Sequence, residues 1–121
     1  MSRTSKMLLP ALGLLLIVVS LASAQETAAV TRGERVFTAY CTGCHSIGPE
    51  VVFGPGLKGV TERRTVDWLK GFIHNPALML RKKDATTVEL VAKFNGYVMP
   101  TLGLTERNVA DVVSYLRSAA R

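Results

Sequence analysis

Apolar positions along this chain recur at helical spacing, and the strict alternation of a strand is nearly absent. The clearest stripe is Val109, Val112, Val113 and Leu116, which follows Thr105 as an N-cap and Glu106 in the first turn. Leu69, Phe72 and Ile73 form a second stripe, with Thr65 as N-cap, Asp67 in the first turn and Asn75-Pro76 as the stop. Val88, Val91 and Phe94 predict a third helix over roughly Thr87 to Asn95, with Gly96 just past its end. Val36, Phe37 and Tyr40 place an earlier helix over about Thr31 to Cys41. Its Gly33, four residues before Phe37, leaves room for another helix to approach closely, and the terminal stripe is the best candidate. Between Ser46 and Val60, Gly48, Gly54, Gly56 and Gly59 with Pro49 and Pro55 predict a loop. The expectation is an all-α domain of four or so short helices, with the first and last packed together.

The N-terminus has a different pattern. Arg3 and Lys6 precede a run from Met7 to Ala22 that is apolar except for Ser20, and Ala22-Ser23-Ala24 has the small-x-small form of a cleavage site. This reads as a secretory signal over residues 1–24, cut before Gln25, which leaves 25–121 as one small domain. The segment before the apolar run has no pair of arginines, so the general secretory route to the periplasm is expected. The alternative is an uncleaved membrane anchor, for which the apolar run is short against a span of about 20 residues.

Candidate chemistry concentrates at Cys41-Thr42-Gly43-Cys44-His45. Cys-x-x-Cys-His is the attachment signature of a covalent c-type haem. Two thiols on one turn can add to the two vinyl groups of one porphyrin, and the adjacent imidazole can then ligate the iron from below. A zinc site wants four ligands, whereas Cys41, Cys44, His45 and His74 are the only Cys and His in the chain. Moreover, Cys44 and His45 are sequence neighbours, an awkward pair for one tetrahedron. A thioredoxin-like dithiol expects a βαβ context that is missing here.

The sixth ligand has three candidates. Met99 lies in Gly96-Tyr97-Val98-Met99-Pro100, between two helices, and Pro100 restricts it to extended backbone. Met79 sits in the apolar run Ala77-Leu78-Met79-Leu80 and reads as core or haem-edge contact. His74 ends a helix, where a polar side chain suits the dipole. Met99 is the favoured ligand. With thioether and imidazole on the two faces, no substrate reaches the iron. A one-electron carrier is then expected rather than an enzyme, with iron bound by His45 and Met99.

Fifteen Lys and Arg against nine Asp and Glu give +6. Loss of Arg3 and Lys6 would leave thirteen against nine, or +4. A moderately basic surface suits redox protein partners with acidic docking patches, and Arg81-Lys82-Lys83 is one candidate patch. Nucleic acid is excluded as a partner by export and by the lack of a long basic helix. Membrane contact is expected only through partners or an uncleaved anchor.

Taken together, Gly33-x-x-x-Phe37, Cys41-x-x-Cys44-His45, Gly54-Pro55-Gly56-Leu57-Lys58-Gly59-Val60, Met99-Pro100 and Tyr115-Leu116 resemble the small bacterial class I cytochromes c over nearly all of Gly33 to Leu116. The resemblance implies the cytochrome c fold around one covalent haem. It gives the Pro55 carbonyl the role of accepting the proximal imidazole's Nδ1–H. It also implies that Arg63 or Arg64 pairs with a haem propionate, that the Trp68 indole N–H approaches a propionate, and that Tyr97 packs near the haem. The implied function is a periplasmic carrier of a respiratory chain, between a quinol-oxidising complex and a terminal oxidase or reductase. Alternatives are a dedicated cytochrome subunit of a multisubunit oxidoreductase, or a haem sensor or enzyme with a labile Met99.

Overall fold

The structure is a computed structural model that describes residues 8–121, with side chains from residue 21 onward. Six helices follow in order: α1 (Leu8–Tyr40), α2 (Val60–Arg63), α3 (Val66–His74), α4 (Pro76–Arg81), α5 (Ala85–Lys93) and α6 (Glu106–Ala119). No strand forms among the described residues, and the one β-bridge joins His45 to Val51.

Caps explain where most of the helices begin. Thr65, Asn75, Asp84 and Thr105 accept from the backbone N–H of Trp68, Leu78, Thr87 and Asn108 and start α3, α4, α5 and α6. Each such cap contributes about 1 kcal/mol. The expected starts of α3 and α6 therefore hold.

Three expectations change. Asn75-Pro76 ends α3 but does not end helical structure: Asn75 caps α4 with Pro76 at its first position, where a missing N–H costs nothing. Helix α5 begins two residues before Thr87, because Asp84 and not Thr87 supplies the cap. Its inward face shifts accordingly: Thr87 is fully buried while Val88 is exposed. Helix α1 starts far upstream of Thr31, since Ala-Ser-Ala-Gln-Glu-Thr-Ala-Ala-Val contains neither glycine nor proline to break it. Arg3 and Lys6 of the expected signal lie outside the described residues.

Helices α1 and α6 form the frame. At their crossing Gly33 is buried, and a Cβ there would collide with the carbonyl oxygen of Asp111. Only glycine permits this approach. Around it Phe37 packs its ring 5.3 Å from that of Tyr115, while Tyr40, expected on the same face, is exposed. The Arg32 guanidinium donates two bonds to the carboxylate of buried Asp111, at 2.7 and 2.9 Å. Val109, Val112, Val113 and Leu116 are almost wholly buried, as their stripe predicts. Burying a side chain of this kind contributes about 1.5–3 kcal/mol.

Candidate haem-binding site

The Cys-x-x-Cys-His turn grows directly out of the frame. Past Tyr40 the chain tightens: Cys41 N–H donates to the Phe37 carbonyl at 2.8 Å, and Cys44 and His45 both donate to the Cys41 carbonyl at 3.0 and 2.9 Å. The turn places Cys41 in the buried core and leaves Cys44 partly exposed, with no disulfide between them. Burial pushes the Cys41 thiol up to about 11, and neighbouring Cys44 adds to the effect. A reactive dithiol or a thiolate metal ligand is helped by the opposite shift, so the environment suits a sulfur that ends in an uncharged thioether.

The glycine- and proline-rich loop after His45 folds back onto it. Gly54 N–H donates to the Cys44 carbonyl at 2.8 Å, and Leu57 N–H to the Ser46 carbonyl at 3.0 Å. This brings the Pro55 carbonyl oxygen 2.8 Å from His45 Nδ1. A carbonyl only accepts, so Nδ1 carries the proton and Nε2 of the neutral ring holds the free lone pair. The loop lies flat against the imidazole: a Cβ on Gly54 would come within 2.7 Å of its Cε1.

Two adjoining cavities open beside His45. One has about 830 Å³ of empty space, part of it open to solvent, and the other about 580 Å³. His45, Pro55, Phe72, Leu90 and Met99 line both, so the two are halves of one slot. Cys41, Arg63, Arg64 and Trp68 line the larger half, and Cys44 and Tyr97 the smaller. All nine residues expected at a cofactor site therefore meet at this slot. Met79 and His74 line neither half; the Met79 sulfur lies beside Gly71, and His74 is exposed.

Apolar walls, two thiols on one turn, an imidazole with Nε2 free and a thioether on the same slot fit a covalent haem. The Trp68 indole N–H donates to Asp84 Oδ2 at 3.0 Å. The Arg64 guanidinium lies 5.5 Å from the Trp68 ring centroid. Arg63 donates to the Lys58 carbonyl at 2.5 Å. Phe53 joins the wall unforeseen, edge-on to Tyr97 with ring centroids 4.6 Å apart.

Residues 30–120 match the family model for cytochrome c. The chain belongs to the cytochrome c family. Among solved structures, the cytochrome c of Rhodothermus marinus is 32% identical, covering 78% of each chain with a TM-score of 0.72. A cytochrome c domain from Pseudomonas putida is also 32% identical, covering 71% of this chain and 85% of that one with a TM-score of 0.63. An engineered Rhodothermus marinus cytochrome c bound to a carbene intermediate is 32% identical, covering 78% of this chain and 79% of its own with a TM-score of 0.68. No curated protein matches the chain. Membership brings the covalent c-type haem and its iron, with Cys41 and Cys44 in the attachment motif. It also supports an electron-carrier role.

Proposed function

We propose that this protein is a periplasmic one-electron carrier of a respiratory chain, with the haem iron held between His45 and Met99. The observation that carries this reading is that His45 and Met99 line the same slot, while Met79 and His74 stand outside it. The bound haem supplies a single iron that alternates between ferrous and ferric states. His45 donates through Nε2, and the bond from Nδ1 to Pro55 fixes the ring and increases its basicity. Met99 offers a soft sulfur, which favours the ferrous state and raises the potential relative to a second imidazole. With both residues as ligands, no position on the iron would be left for a substrate, and exchange of an electron with a docked partner would be the remaining chemistry.

Export through residues 1–24 is supported by two observations. Residues 21–28 are exposed although they continue α1, and the family match begins only at residue 30. Among the described residues no helix is long and apolar enough to cross a membrane. N-terminal sequencing of the periplasmic protein should return Gln25. The exposed Arg81, Lys82 and Lys83 suit an acidic redox partner.

A spectroelectrochemical titration tests the carrier reading. One wave of one electron, with no carbon monoxide adduct of the reduced protein at neutral pH, is the expected result. Ready formation of an adduct would mean an open or labile sixth position and a sensor or enzyme.

One observation favours a permanent partner instead. Val51, Val52, Phe53 and Tyr97 form an exposed apolar group beside the smaller half of the slot. A dedicated subunit of an oxidoreductase would use such a surface. Docking through basic residues weakens as salt is raised, whereas an apolar seat does not, so a salt series on the complex separates the two.

A further inference from the structure

The Asp84 carboxylate holds three donors on one oxygen. The Trp68 indole N–H reaches Oδ2 at 3.0 Å, the Thr87 backbone N–H at 2.9 Å and the Thr87 hydroxyl at 2.8 Å. Trp68 is a wall of the haem slot and sits on α3; Thr87 is wholly buried and sits on α5. Asp84 therefore ties Trp68, sixteen residues away in sequence, to the first turn of α5. Helix α5 carries Leu90, which lines both halves, and leads into the Met99 loop.

We propose that Asp84 is a positioning residue of the haem site: it claims the indole N–H of Trp68, fixes that ring as a wall, and leaves the haem carboxylates to Arg63 and Arg64. Both arginines line the same half of the slot as Trp68. The Phe72 ring stacks on the Trp68 ring at 4.8 Å, so the indole is held by its face as well as its N–H. Those hydrogen bonds, the one from Trp68 first, hold the Asp84 carboxyl below the usual carboxylate range, and the nearby Arg64 charge acts in the same direction. The carboxylate is thus a permanent negative charge behind the wall. Such a charge favours the ferric state over the ferrous and lowers the potential.

This inference rests on the haem reading of the slot, and the test keeps the two apart. Trp68 is the only tryptophan, so the indole N–H gives one unambiguous NMR resonance. It is followed in the reduced holoprotein of wild type, Asp84→Asn and Asp84→Ala, with haem content measured on the same samples. Asn keeps an acceptor for the cap and for the indole but removes the charge. Asp84→Asn should lower the melting temperature less than Asp84→Ala does, shift the indole resonance and raise the potential. Asp84→Ala should lower the melting temperature and speed indole exchange at least tenfold. An indole resonance and exchange rate unmoved in Asp84→Ala would overturn the proposal, as would an unchanged potential in Asp84→Asn. Absence of covalent haem from the wild type would instead sink the reading of the slot itself.

Discussion

The frame of α1 and α6 and the slot beside it are built on opposite principles. In the frame, protein atoms complete most contacts, although Phe37, Val112 and Leu116 also line the larger half of the slot. Gly33 lets the backbones touch, Arg32 answers Asp111, and the valines of α6 are covered. Around the slot, Phe72, Leu90, Phe94 and Val98 face the cavity, and Phe53 and Tyr97 are exposed. A small domain has little apolar surface to spare, so a region of this kind is stable only when a large apolar cofactor fills it. The frame holds the haem turn in place, and the haem completes the rest of the domain.

Removing the cofactor should split the two regions most visibly. In Cys41→Ser/Cys44→Ser, which cannot attach haem, amides of α3 and α5 should lose roughly a thousandfold of exchange protection, about 4 kcal/mol. Helices α1 and α6 should keep part of theirs. Equal loss in both regions would erase the distinction. In the frame, Gly33→Ala should destabilise by about 2–3 kcal/mol in thermal or denaturant unfolding. Alanine gains about 1 kcal/mol in helix propensity, so a net loss isolates the close approach to Asp111, and a net gain would contradict it. On the slot side, Met99→Ala should cost about 2 kcal/mol, the low end for methionine truncation because the residue is only half buried. It should also lower the potential and admit carbon monoxide.

The smallest effect concerns acid. The Asp84 carboxyl is held low by the bonds from Trp68 and Thr87. Its stabilising contribution is therefore complete above the ordinary carboxylate value of about 3.9 and is lost as pH falls through the lower folded value. Acid unfolding below about pH 4 should be steeper in wild type than in Asp84→Asn; parallel profiles would deny the carboxylate that role.

Much of this was readable in the residues, for local reasons. The haem turn and the α6 stripe follow from short-range spacing, and Thr65 and Thr105 announce their helices by capping chemistry. The Nδ1 partner of His45 came through the family resemblance and stands at 2.8 Å. What stayed hidden depends on contacts distant in sequence. Asp84 drew no reading from the sequence, and its bond to Trp68 needs the fold. Asp111 lies on a polar-looking turn of α6, and only the arrival of Arg32, 79 residues away, explains its burial. Phe53 sits in a loop with no periodicity, so nothing local marks it as a wall. Proline at position 76 was read only as a stop, whereas the Asn75 side chain caps a new helix on it.

The most direct test is an absorption spectrum of the purified protein, oxidised and reduced, with a pyridine haemochrome and the weak long-wavelength band of methionine sulfur bound to ferric iron. A haemochrome of the c type together with that band, the band lost in Met99→Ala while the haem stays attached, is the predicted result. A c-type haemochrome without the band, or a band that survives in Met99→Ala, would contradict the pairing of His45 with Met99 across the slot.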